Sequence, residues 1–192
     1  MKAKLAVMKV VIFFMMASLA TAGDVGVART VWQTIKLGTG LKTGEDFYKA
    51  LKENGFAAEG VRNMLGKPEF TVATKETEVD LVAVTVAELG FKDGADRKDV
   101  YAKAQQLGLQ LCPAEVGPQL RLQYKFQHHE TGFIIGMKPI CSSVFSSGDY
   151  LAVFDVEEHN SNLLLAPYFE SFCSANNWFY KWVFILPRKA VK

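Results

Sequence analysis

"TIKLGTGLKTGEDF", residues 34–47, decides how the chain begins to fold. Thr34-Ile35-Lys36-Leu37 alternates as a strand does, Gly38-Thr39-Gly40 turns, and Thr43 stands three residues before Asp46 as a capping-box start of a helix. Lys42-Thr43 is also the pair that closes a phosphate-binding loop. The choice is therefore between a turn that grips a nucleotide and a plain strand-to-helix connection. Spacing decides it. A phosphate loop needs Gly-x-x-x-x-Gly-Lys-Ser/Thr, so that successive backbone amides curl round the phosphates. Here Leu41 separates Gly40 from Lys42, and Ile35 stands where the first glycine belongs. Nor does Gly38-x-Gly40 reach the third glycine of a dinucleotide fingerprint, because Thr43 occupies that place. Glycines that let a strand turn tightly into a capped helix account for the segment, and no nucleotide or other cofactor is expected.

Working outward, Val31, Gln33, Ile35 and Leu37 share one side of the first strand, over about residues 30–37. Phe47, Ala50 and Leu51 follow at helical spacing up to Gly55, and a second short helix spans about residues 58–65. Residues 79–86 form the strongest strand pattern of this half, and residues 97–107 a third helix with Val100, Tyr101, Ala104 and Leu107 on one face. From Leu109 the pattern turns to β. Leu120, Leu122, Tyr124 and Phe126 alternate with Arg121, Gln123 and Lys125, which predicts a half-buried strand. Further strands are predicted at residues 133–137, 150–156, 163–169 and 178–186, between turn-rich loops. Short loops between strands imply an antiparallel meander. The expectation is an α+β fold: an N-terminal strand and about three helices, then a C-terminal antiparallel β-meander, with Leu122, Phe154 and Phe184 in its core.

The first 22 residues differ from the rest. Lys2, Lys4 and Lys9 precede the apolar run from Val10 to Ala20, and Ala20-Thr21-Ala22 follows. This is the order of a secretory signal peptide, with cleavage after Ala22 and a periplasmic or secreted product of residues 23–192. The apolar run is shorter than the roughly 20 residues a spanning helix needs, so no membrane span is expected once the signal is removed. Those 22 residues hold three of the 22 basic side chains and none of the 20 acidic ones, which leaves the product at −1. A near-neutral domain lacks the positive footprint of nucleic-acid binding. The length suits one domain, helix-richer to about residue 108 and β-rich from 109.

Four segments, "TIKLGTGLKT", "LGKPEFTVAT", "VDLVAVTVAELGF" and "GLQLCPAEVGPQLRLQY", resemble a small bacterial protein family sometimes loosely labelled helicase. The resemblance covers about residues 32–187 and implies no assigned catalytic residue. A helicase activity does not follow from it, because the phosphate loop is broken and the chain is too short for paired motor domains.

Chemistry-bearing residues are few. His128, His129 and Glu130, with His159 beside Asp155, Glu157 and Glu158, form the one constellation that could bind a metal or move a proton. All three histidines fall in polar turns, and adjacent residues at a strand end point to opposite faces, so no metal is expected. The serine pairs 142–143 and 146–147 lack a nucleophile elbow. Cys112, Cys141 and Cys173 are too widely spaced for zinc. One disulfide plus a free thiol, or three small buried hydrophobes, both fit that count. Trp178, Tyr180 and Trp182 recur at strand spacing and offer either a core face or an aromatic platform for a ligand. The expectation is an exported, non-enzymatic binding module with a protein or small-molecule partner. Two alternatives stand beside it: a hydrolase working through the loops at His128 and His159, and a cytoplasmic accessory protein if the presequence is spurious.

Overall fold

A computed structural model describes residues 30–58, 60–124, 132–145, 148–159, 162–169, 172–173 and 180–188. The expected signal peptide lies outside the described residues, as do His128, His129, Glu130 and Trp178. The chain order is β1 (Gln33–Leu37), α1 (Gly44–Glu53), α2 (Val61–Leu65), β2 (Thr77–Val84), β3 (Ala95–Asp96), α3 (Arg97–Gln106), α4 (Val116–Gln123), β4 (Phe133–Ile135), β5 (Ile140–Phe145), β6 (Gly148–His159), β7 (Asn162–Tyr168), β8 (Phe172–Cys173) and β9 (Lys181–Leu186). This is an α+β fold with four helices and a mostly antiparallel sheet, among the described residues.

Seven strands pair in the order β1-β2-β9-β4-β6-β5, with β7 also on β6, while β3 and β8 form a separate ribbon. The sheet is not a simple meander. β5, β6 and β7 do follow one another antiparallel, but β9 returns to the middle, antiparallel to β2 and parallel to β4. That central place explains why Trp182, Val183 and Phe184 are all buried, since both faces of β9 are covered.

Register assigns the faces. Phe133 pairs with Val156, and Ile134 with both Asp155 and Trp182, so Ile134, Asp155 and Trp182 share one face and Phe154 takes the other. On the Phe154 face, Phe70 meets Phe47 of α1 at 5.6 Å and Phe154 at 6.3 Å between ring centroids. α4 packs there too: a Cβ on Gly117 would come within 2.8 Å of the Phe154 side chain, so only glycine allows this approach. α3 covers the opposite face. Its Tyr101 ring lies 5.5 Å from Trp182 and 6.1 Å from Phe184, and its hydroxyl donates to the Met137 carbonyl at 2.8 Å.

α1 begins as its sequence requires. The Thr43 hydroxyl accepts from the Asp46 amide, and the Asp46 carboxylate accepts from the Thr43 amide. The strand expected over residues 120–126 is instead α4, with Phe126 outside the described residues. Pro118 falls in its first turn, where a missing amide proton costs the helix nothing. Leu122 is accordingly a half-buried helical residue against the core, whereas Phe154 and Phe184 are fully buried.

Candidate functional site

β1 is an edge strand, and unpaired edges invite association with other chains. Here α4 covers it with side chains spaced four apart. The Gln123 amide mimics a neighbouring strand: its Oε1 accepts from the Lys36 amide at 2.9 Å, and its Nε2 donates to the Lys36 carbonyl at 2.6 Å. The same Nε2 donates to Gln119 Oε1 at 2.7 Å. Gln119 Nε2 in turn donates to the Thr39 hydroxyl at 2.8 Å and to Glu115 Oε1 at 2.9 Å. Glu115, only 1 % exposed, finishes the ladder by accepting from the Gly38 amide and the Ala73 amide, both at 2.7 Å. One buried carboxylate thus ties the glycine turn to the extended segment of residues 71–74.

Gly38 is required at this junction. Its φ is +67°, and a Cβ there would lie 2.5 Å from the Lys75 carbonyl oxygen. Between the turn and the tied segment lies a cavity of about 330 Å³, lined by Gly38, Gly40, Leu41, Lys42, Val72, Ala73 and Thr74. Leu41, Val72 and Ala73 make it largely apolar, and Lys42 is the charged side chain of the lining.

Three of the amides that could cradle phosphates are already engaged by the protein's own carboxylates. Gly38 donates to Glu115, while Lys42 and Thr43 both donate to Asp46 Oδ2 at 3.0 and 2.9 Å. The Thr43 side chain first, and then the Lys42 and Thr43 amides, hold the Asp46 carboxyl below the usual carboxylate range. The nucleotide question raised by residues 34–47 thus has a structural answer at these three amides: a triphosphate would have to displace two carboxylates.

The other sequence-derived candidates among the described residues do not gather around this cleft. His159 ends β6, its backbone paired with Asn162. On the same strand, Asp155 is buried, with Glu157 half-buried and Glu158 exposed. Burial first, and then Glu157, push the Asp155 carboxyl well above its ordinary range. No group of three or more histidine, cysteine or acidic side chains could hold a metal ion among the described residues. Trp182 has no exposed surface, and Tyr180 is half-buried with its ring 6.1 Å from Tyr168. Cys112 is a buried free thiol that donates to the Val183 carbonyl at 3.4 Å, and burial raises its pKa far beyond the thiolate range needed of a nucleophile. Cys141 is also a free thiol.

Glu115, Gln119 and Gln123 were not singled out by sequence reasoning, although their spacing of four was visible as a helical ladder. Three of the four segments "TIKLGTGLKT", "LGKPEFTVAT", "VDLVAVTVAELGF" and "GLQLCPAEVGPQLRLQY" meet at the cleft: the first, second and fourth supply the turn, the facing segment and the ladder. Compared with known proteins, the chain matches no protein-family model, no curated protein and no solved structure.

Proposed function

We propose that this chain is a small exported module that binds a ligand without transforming it, and that the ligand sits in the cleft between residues 38–42 and 72–74. The cleft itself carries the reading. Its volume of about 330 Å³ matches the lower end of small-molecule pockets, about 300–1,000 Å³. Its walls are preorganised, because Glu115 holds both sides at once. The lining offers backbone, the Thr74 hydroxyl and the Lys42 ammonium against an apolar floor. Nothing in that lining is a nucleophile paired with a base, which favours binding over chemistry. The chemistry of the ligand follows: a compact apolar body with one acidic group.

A fragment set with equal numbers of acids, neutral compounds and bases tests this by amide chemical shifts. Acids should perturb Gly38, Gly40, Leu41 and Ala73 selectively. Lys42→Ala should weaken them about 5-fold, as loss of one exposed charge contact of about 1 kcal/mol implies. The same variant should fold normally, because Lys42 is exposed and its hydrogen bond to Asp46 uses the backbone amide, which alanine keeps. Bases binding as well as acids, or hits clustered away from these amides, would sink the assignment.

Export rests on the lysines, apolar run and Ala20-Thr21-Ala22 of the first 22 residues. Mature protein is expected to begin at Gly23 on N-terminal sequencing. Recovery from the cytosol with residues 1–22 attached would replace export with the cytoplasmic accessory role. No helix among the described residues is long and apolar enough to cross a membrane.

A further inference from the structure

The cleft at residues 38–42 and 72–74 carries polar groups that a simple acid would leave unmet. One wall is the extended segment of residues 71–74. Its Ala73 amide donates to Glu115, a buried side chain that does not line the cleft. The Gly38 amide of the facing turn points to the same carboxylate. Successive residues of extended backbone turn their N–H and C=O groups to opposite edges. Val72 and Thr74, which flank Ala73, therefore turn theirs away from Glu115, and both line the cleft. Among the described residues, neither their amides nor their carbonyls take a partner from the chain.

The turn supplies a complementary half. The amides of Gly40 and Leu41 likewise donate to no group of the chain among the described residues. A Cβ built on Gly40 would meet no atom within 4 Å, so the backbone there is open to approach. Lys42 follows directly, with the charged side chain of the lining. Two adjacent amides beside an ammonium suit an anion that spreads its charge over two oxygens. Leu41 and Val72 provide the apolar surface next to them.

A plain carboxylate satisfies the turn but leaves the Val72 and Thr74 carbonyls without a donor, because it has none to give. The end of a peptide carries all three features together. It has a two-oxygen anion, a side chain that can be apolar, and before them alternating N–H and C=O groups that pair with an extended backbone edge. We propose that the cleft receives the C-terminal residues of an extended peptide with an apolar last side chain. Its carboxylate meets the Gly40 and Leu41 amides and the Lys42 ammonium, its last side chain lies against Leu41 and Val72, and its preceding backbone follows Val72 and Thr74. This assignment rests on the cleft being a binding site for acids, and adds the kind of acid.

Ligands that share one isobutyl group separate the outcomes in amide chemical-shift titrations of the full chain: N-acetyl-alanyl-leucine, its C-terminal carboxamide, and 4-methylpentanoate. The peptide acid should bind about tenfold more tightly than 4-methylpentanoate, the step that one or two net hydrogen bonds supply. It should also shift the Val72 and Thr74 amides, which 4-methylpentanoate leaves in place. The carboxamide should bind about fivefold more weakly than the peptide acid, and Lys42→Ala should weaken the acid by about the same factor. A depsipeptide with oxygen in place of the leucine N–H should lose most of the tenfold gain, a change that leaves the protein untouched. If 4-methylpentanoate binds as tightly as the peptide acid and still depends on Lys42, the cleft remains a site for acids and the peptide proposal falls. It falls as well if the carboxamide or the depsipeptide equals the peptide acid. If no ligand moves the Gly38, Gly40, Leu41 and Ala73 amides, the cleft reading itself is lost, and the peptide with it.

Discussion

Phe184→Ala is expected to lower the melting temperature by about 6–20 °C, the product of about 3–5 kcal/mol for emptying a buried phenylalanine site and about 2–4 °C per kcal/mol for a domain of this size. Phe184 lies at the middle of the sheet, paired with Val82 and fully buried. Trp182 stacks beside it at 6.3 Å, and Tyr101 meets it edge-on from α3. A Cβ on Gly136 would collide with its ring, so the chain has been thinned there to admit it. The surroundings cannot collapse into the vacated space, because Tyr101 is tethered to the Met137 carbonyl and the strands on both sides are hydrogen-bonded in register. Leu151→Ala is the control, since that side chain is 58 % exposed and should shift the transition by no more than about 0.5 kcal/mol. Paired urea titrations would read both changes. Equal, small losses for the two variants would show that the core does not centre on β9.

The same strand shows where reading the sequence succeeds and where it stops. Periodicity and caps recover β1, α1, β2, α3 and β7 because those signals are local: Thr43 and Asp46 cap each other three residues apart, and Ile35 and Leu37 alternate into the core. The partners of β9 are not local. Nothing within residues 181–186 says that they will pair with residues 80–84 and 133–135 at once. An apolar run covered on both faces carries no alternation from which to choose a neighbour. The misreading of α4 has a different cause. Leu120, Leu122 and Tyr124 alternate by chance with Arg121 and Gln123, and the period-two test treats the latter as solvent-facing. Arg121 is in fact buried, its guanidinium 3.4 Å from the centre of the Phe56 ring and its Nε donating to the Leu163 carbonyl. A helix packed on several sides has no single apolar stripe, and Val116 through Arg121 are all buried. What remained legible was the polar ladder at every fourth position, which period-two reading passes over.

That ladder makes Glu115 the polar side chain on which the cleft depends, and Glu115→Ala should cost about 3–5 kcal/mol, since a hydrogen bond to a charged group contributes about 1.5–3 kcal/mol. Two backbone amides, those of Gly38 and Ala73, would lose their acceptor together, and Gln119 would lose one of its two. Water cannot restore them easily at a position 1 % exposed. Gln123→Ala removes an equally well-aligned pair of bonds to Lys36, but at an exposed edge where water can take its place, so a loss of only about 0.5–1.5 kcal/mol is expected. Glu115→Gln should fall between the two. It keeps one carbonyl oxygen for an amide and turns its own N–H groups toward the other donor, a clash that alanine avoids only by leaving a void. Hydrogen exchange separates these cases residue by residue. In Glu115→Ala the Gly38 and Ala73 amides should exchange faster than in wild type by more than global destabilisation explains, while the Ile185 amide, bonded to the Gln110 carbonyl at the sheet centre, should follow global stability alone. The cleft should lose its acidic ligands in the same variant, although Glu115 does not line it, because that carboxylate accepts from an amide on each of its two walls. Unchanged exchange at Gly38 and Ala73 would mean that the turn holds its shape without Glu115, and the preorganised cleft would lose its physical basis.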